Sequence, residues 1–354
     1  MTVTALGLPA LRRDDDPHPV DMPMQGPLVD TFGRVATDLR VSLTDRCNLR
    51  CTYCMPAEGL NWLPGDELLS LGELTRLLRV AVTRLGITSV RFTGGEPLLY
   101  RQLEDVVAAA AALDPRPEIA MTTNGVGLAR RAVALAAAGL DRVNVSLDTV
   151  DAARFTAITR RDRLSDVLDG LAAAAAAGLG PVKVNAVLDR TTGLDDAVEL
   201  LTYCLRYGYQ LRIIEQMPLD AGHQWRRDTT LRSDDILATL SARFDLSPDP
   251  APRGSAPAQL WRVGDGPATV GIIASVSHAF CAACDRTRLT ADGQIRSCLF
   301  ATEETDLRVL LRGGADDCAL ETAWRTAMWR KAAGHGINDP GFVQPQRPMS
   351  AIGG

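Results

Sequence analysis

The chain has 354 residues, with 38 Lys+Arg against 43 Asp+Glu for a formal net charge of -5, and 46% of its residues are hydrophobic. It is too apolar for a disordered chain, shows no repeat of the collagen or solenoid kind, and lacks the basic excess of a general nucleic-acid binder. At roughly 100–200 residues per domain, the length suits two domains or one large α/β domain with an appendage. Among the cations only Lys183 and Lys331 are lysines, a skew that reads as coding bias, so an arginine alone says little.

In chain order, residues 1–30 form a leader carrying Asp14, Asp15 and Asp16 with Pro17, Pro19, Pro23 and Pro27. It lacks the charged start and apolar stretch of an export signal. From residue 35 a strand–helix rhythm begins. Leu39-Arg40-Val41-Ser42-Leu43 alternates like a strand. Ser70 with Glu73 forms a capping box, opening a helix that carries Leu71, Leu74, Leu77, Leu78 and Val82 and closes at Gly86. Strand 89–93 and helix 103–113 follow, then strand 119–122 and helix 128–138. Strand 142–146 precedes two helices, the second of which holds the Ala-rich run 171–177, far short of the ~20 apolar residues that span a bilayer. Strand 182–187, helix 194–206 and strand 211–215 complete six βα units, which predict a parallel sheet or partial barrel. Every polar motif is expected at a C-terminal strand end, where such sheets place their sites. Past Pro218 the rhythm breaks, and 249–257 reads as a surface connection. The expected division is a leader (1–30), a barrel domain (31–220) and a smaller C-terminal domain (221–354).

With no export or membrane segment, the chain reads as cytoplasmic, where its eight cysteines are not disulfides. Cys204 and Cys318 stand alone and read as buried small hydrophobes. Cys47, Cys51 and Cys54 follow the first strand with spacing C-x3-C-x2-C. Three thiolates on one loop with no fourth ligand nearby fit a [4Fe–4S] cluster with one open iron better than a four-ligand zinc site. Cys281, Cys284 and Cys298 make a second triplet, for which spacing alone leaves cluster and zinc ribbon even.

The first loop, with Tyr53 before its last cysteine, resembles the radical S-adenosylmethionine (SAM) superfamily. Thr93-Gly94-Gly95-Glu96-Pro97 resembles that superfamily's glycine-rich contact to SAM, and Gly95 is read as permitting close backbone approach. The resemblance implies that the open iron chelates SAM and that one-electron cleavage yields a 5′-deoxyadenosyl radical. Tyr53, Gly95, Ser146 and Met217 then become candidate SAM contacts. Around the second triplet, Phe280 to Gly293, Arg296-Ser-Cys298-Leu-Phe and the terminal Met349-Ser-Ala-Ile-Gly-Gly resemble the GTP 3′,8-cyclase family of molybdenum-cofactor biosynthesis. That likeness covers about residues 30–354. It implies a partial (βα)6 TIM-like barrel with a C-terminal domain carrying a second [4Fe–4S] cluster, abstraction of H3′ from GTP, and attack of C3′ on guanine C8.

Arg286 and Arg288 at i and i+2 project from one face of an extended segment and suit phosphate oxygens. Lys183 is a compact charge inside an apolar strand. By family position, Arg40, Arg91, Thr122, Lys183, Arg212, Arg286, Thr287 and Arg288 contact GTP. The resemblance further implies an electron donor and hand-over of product to cyclic pyranopterin monophosphate synthase; a homodimer is compatible with it. No nucleic acid or membrane partner is expected, and no P-loop is present. Two alternatives stay open: a peptide-modifying radical SAM maturase with an auxiliary cluster, and a non-catalytic zinc-binding module.

Overall fold

The computed structural model describes residues 22–353. Most of the expected leader, and Gly354, lie outside the described residues. The six expected βα units are present as β1 (Asp38–Ser42), α1 (Leu71–Thr83), β2 (Ser89–Thr93), α2 (Leu103–Ala111), β3 (Glu118–Thr123), α3 (Leu128–Ala138), β4 (Arg142–Ser146), α4 (Ala152–Thr159), α5 (Leu164–Ala176), β5 (Lys183–Val187), α6 (Gly193–Tyr207) and β6 (Gln210–Ile214). The capping box of Ser70 and Glu73 opens α1, whose Leu74, Leu77, Leu78 and Val82 are buried. Beyond β6 come α7 (Ser233–Ser241), β7 (Leu246–Pro248), β8 (Gln259–Val263), β9 (Thr269–Ile273), β10 (Arg286–Leu289), β11 (Gln294–Arg296), β12 (Thr305–Asp306), α8 (Leu307–Arg312), α9 (Asp317–Trp329) and α10 (Met349–Ile352).

All strands join one 12-stranded sheet in the order β12-β11-β10-β1-β2-β3-β4-β5-β6-β9-β8-β7, and the sheet does not close. The run from β10 through β1 to β6 and on to β9 is parallel. The C-terminal segment therefore does not sit apart from the barrel. It extends the sheet at both ends, β9 beside β6 and β10 beside β1.

Each strand keeps one apolar face. Leu39, Val41, Val90, Phe92, Ile119, Met121, Val143, Val145, Val184 and Leu211 are fully buried under the helices, each contributing about 1.5–3 kcal/mol of apolar burial. The other face carries Asp38, Arg40, Arg91, Thr122, Arg142, Asn144, Lys183, Asn185 and Arg212, which line a common cavity. Strands of a packed parallel barrel are apolar on both faces. Here the inner face is polar because it encloses a cavity instead of a core.

Of the isolated cysteines, Cys204 is buried as expected, but Cys318 is exposed. It lies in the first turn of α9, where the Arg84 guanidinium donates to its Sγ at 3.0 Å. No described helix is long and apolar enough to cross a membrane.

Candidate active site

The first thiol triplet sits on the loop leaving β1. That loop is pinned to the end of α4: Arg50 N–H donates to Thr159 O (3.0 Å) and Thr52 N–H to Ile158 O (2.9 Å). The Arg160 guanidinium donates to the carbonyls of Arg50 and Met55. Burial pushes all three thiols up, Cys54 to about 12. Such thiols hold their protons unless a strongly cationic centre draws out the thiolates, so the donor set fits an iron–sulfur cluster. Among the described residues, no three His, Cys, Asp or Glu side chains converge on a single metal ion's position.

The glycine-rich turn after β2 packs against this loop. A Cβ on Gly95 would run into the carbonyls of Asp45 and Arg46, and one on Gly94 would come within 2.5 Å of Thr44 O. Gly95 N–H donates to Thr44 O at 2.7 Å. The close approach that requires glycine is thus to the chain's own backbone, not to the cavity. Glu96 is fully buried, and burial raises its carboxyl to about 7 against hydrogen bonds from Asn124 N–H, the Thr123 hydroxyl and Leu98 N–H. Tyr53 donates its hydroxyl to Asp148 Oδ2 at 2.7 Å, and Val187 N–H donates to Asp148 Oδ1 at 2.8 Å.

The second triplet approaches from the other end. β10 pairs with β1 in parallel, with Asp38 opposite Arg286. Cys281 and Cys284 precede β10, whereas Cys47, Cys51 and Cys54 follow β1. The triplets therefore stand at opposite ends of the strand layer. The expectation that every polar motif lies at a C-terminal strand end is corrected: the site runs the length of the barrel, because β10 joins β1 with its cysteines at the N-terminal side. The Arg34 guanidinium, paired with Asp30 Oδ2 at 2.5 Å, donates to Cys281 O (2.9 Å) and to the carbonyls of Ala332 and Ala333.

One cavity of about 550 Å³ joins the two ends, lined by Cys54 of the first triplet and by Cys281, Cys284 and Cys298 of the second. Tyr53, Ser146 and Met217 open onto it, as do Arg40, Arg91, Thr122, Lys183, Arg212, Arg286 and Arg288. Gly95 is not on its wall. Thr287 is not either: its side chain lies on the outer face of β10, where its Oγ1 accepts from Trp324 Nε1 at 3.0 Å. The Thr287 side chain therefore faces away from the cavity, since alternation puts it opposite Arg286 and Arg288. Arg142, Asn144 and Asn185 belong to the same wall and were missed. Their signal was available as polar residues alternating within β4 and β5, where a fully covered parallel strand is apolar.

The wall is crowded with like charge. Burial and the Arg40 charge push Arg91 well down. Burial, then Arg212, Arg142 and Arg91, bring Lys183 to about 7. Burial and then Arg142 and Arg40 lower Arg212 to about 10, and burial and then Arg40 lower Arg288 to about 9. Asp38 stays ionised: burial would raise it, but Arg40, Arg91 and Arg286 outweigh burial. Arg91 Nε and Nη1, Arg142 Nη1 and Arg212 Nε are buried with no hydrogen-bond partner. Unpaired buried guanidinium donors cost several kcal/mol (about 1–3 for each group, more when charged), so the wall is built for a polyanion.

The chain's end docks into this site. Ser42 donates its hydroxyl to Ile352 O at 2.9 Å, and Arg288 donates to Gly353 O. A Cβ on Gly353, whose φ is +83°, would meet the hydroxyls of Ser42 and Thr93. Ile352 also packs with Leu219, Val276, Phe300 and Ile337 in a small apolar plug.

Known proteins resemble the chain in both halves. The Radical SAM superfamily model matches residues 41–204, and the Molybdenum Cofactor Synthesis C model matches residues 209–337. Curated relatives named GTP 3′,8-cyclase match along 100% of both chains, at 77% identity in Mycobacterium sp. (strain KMS) and 74% in Mycolicibacterium smegmatis. One named GTP 3′,8-cyclase 2 in Mycobacterium tuberculosis is 72% identical, again over 100% of both chains. Among solved structures, Streptococcus suis SuiB bound to S-adenosylmethionine has a TM-score of 0.58 at 15% identity, covering 88% of this chain and 76% of that one. SuiB bound to its precursor peptide SuiA matches equally well, with a TM-score of 0.58. These structures share the fold. On identities of 72–77% over its full length, the chain belongs to the GTP 3′,8-cyclase family of radical SAM enzymes.

Proposed function

We propose that the chain cyclises GTP to (8S)-3′,8-cyclo-7,8-dihydroguanosine 5′-triphosphate in the first step of molybdenum-cofactor biosynthesis. The observation that carries this reading is one cavity with a thiol triplet at each end and unpaired cationic donors between them. Cys47, Cys51 and Cys54 would hold the cluster that, with SAM, would supply the one-electron chemistry, and Cys281, Cys284 and Cys298 would hold a second cluster at the end of the cavity where the guanine would be oriented.

The chain's own residues do the rest. Arg40, Arg91, Lys183, Arg212 and Arg288, with Thr122 and the unforeseen Arg142, hold the triphosphate. Arg286 sits between this belt and the second triplet. Tyr53, fixed by Asp148, and Ser146 and Met217 position SAM, while Gly95 acts indirectly by letting the glycine-rich turn pack against the cysteine loop. Anchoring both reactants across one rigid wall supplies the proximity that such a coupling needs. The docked tail and its apolar plug keep water from the end near β1 and β2.

In this reading residues 31–220 form the SAM module and also supply most of the triphosphate wall, while residues 221–354 carry the auxiliary cluster and complete the GTP site with Arg286 and Arg288. Six cysteines held as cluster ligands and none paired in a disulfide among the described residues suit a reducing compartment such as the cytoplasm. An external reductant supplies electrons, the product passes to cyclic pyranopterin monophosphate synthase, and a homodimer is compatible with this scheme. The test is anaerobic reconstitution, iron analysis, and mass analysis of products from GTP and SAM. About eight iron atoms per chain and a cyclised triphosphate are expected. SAM cleavage without a GTP-derived product from a fully loaded enzyme would overturn the substrate assignment.

A further inference from the structure

Lys331 is one of only two lysines in the chain; Lys183 lines the cavity, and Lys331 lies behind its wall against Cys284 and Arg286. It follows α9 and is 3% exposed. Its ammonium donates to Arg286 O (2.9 Å), to Cys284 O (3.2 Å) and to Cys284 Sγ (3.4 Å). Among the described residues it has no ion pair with a carboxylate, unlike Arg34, whose clamp on Cys281 is neutralised by Asp30. A buried ammonium without a counter-charge is costly. Two carbonyls satisfy two of its three donors but not its charge. The one group within reach that can become an anion is the sulfur of Cys284.

We propose that Lys331 is a positioning residue for the C-terminal cluster: its N–H···S bond to Cys284 raises that cluster's reduction potential, and its bond to Arg286 O fixes the start of β10. This rests on the two-cluster reading. Hydrogen bonds and positive charge at a ligand sulfur stabilise the more electron-rich, reduced cluster, which moves the potential upward. The helix end is also the favourable place for a cation. Trp324, about two turns earlier on the buried face of α9, already ties the helix to β10 through Thr287, so the ammonium is carried on a fixed support.

The experiment uses the full chain with Cys47→Ser, Cys51→Ser and Cys54→Ser, so that any iron belongs to the second triplet. Iron content and an anaerobic redox titration followed by electron paramagnetic resonance are measured with Lys331, Lys331→Gln and Lys331→Arg. About four iron atoms per chain are expected with Lys331, a more negative midpoint potential in Lys331→Gln, and recovery toward the parent value in Lys331→Arg. If Lys331→Gln loses its iron while Lys331→Arg keeps it, the charge is again responsible. Full iron with an unchanged potential in Lys331→Gln, or equal iron loss in both variants, overturns the role of Lys331 alone. Absence of iron from the parent overturns the two-cluster reading, and this proposal with it.

Discussion

Arg40 on β1 and Arg288 on β10 stand directly opposite each other on neighbouring parallel strands, and Arg91 on β2 occupies the position opposite Arg40 on its other side. Like charges set in register across a sheet are destabilising, and here three are aligned on one wall. In the proposed reading, a ligand with several negative charges offsets this repulsion when it binds. Arg288→Ala removes one charge and the bond to Gly353 O. GTP affinity measured calorimetrically should fall about 10- to 150-fold, as for loss of a charge-assisted hydrogen bond of about 1.5–3 kcal/mol. The melting-temperature rise that GTP induces should shrink as well. An unchanged affinity would remove Arg288 from the phosphate belt.

Lys183 gives the site a pH signature. Its ammonium falls to about 7 through burial and then the charges of Arg212, Arg142 and Arg91. Because the folded value lies below that of the unfolded chain, the ligand-free protein binds fewer protons than the unfolded chain between about 7 and the ordinary lysine value of about 10.4. Its contribution to stability is complete above that upper value and is lost as pH falls through about 7. A bound triphosphate restores the charge, so GTP binding at pH 8 should take up a proton. Calorimetry in two buffers of different ionisation enthalpy reads that uptake directly. In Lys183→Met the uptake should vanish, and it should persist if another group is responsible.

Gly95→Ala tests whether the glycine-rich turn serves the cysteine loop. Its new Cβ meets the carbonyls of Asp45 and Arg46, and overpacking of this kind costs about 1–3 kcal/mol. The melting temperature of the iron-free protein should drop, and reconstituted enzyme should hold less iron in the first triplet. A melting temperature equal to that of the parent would show that the backbone there yields freely.

Thr287 separates the two faces of β10. Its hydroxyl accepts from Trp324 Nε1 in a fully buried setting. Thr287→Val should lower stability by about 1–3 kcal/mol, since it strands the indole N–H, and should leave GTP affinity within twofold of the parent. A large loss of affinity at full stability would return the threonine to the GTP site.

Much of this protein was legible from its residues in order. The capping box at Ser70 and Glu73, the six strands with their helices, and the two cysteine triplets are local patterns, fixed by 3.6-residue and two-residue periodicities and by loop spacing. The alternation that sets Arg286 and Arg288 on one face also sets Thr287 on the other, a consequence contained in the sequence but not drawn from it. What sequence order does not contain is which strands become neighbours. β10 lies beside β1 although nearly 250 residues separate them in the chain, and long-range pairing is decided by burial and hydrogen bonding summed over the whole sheet. That one pairing aligns Arg288 with Arg40, sets the second triplet at the far end of the barrel from the first, and turns separate polar alternations, including those of Arg142, Asn144 and Asn185, into a single wall. The motifs named the chemistry; the pairing of β10 with β1 and of β9 with β6 in the open sheet decided where it happens.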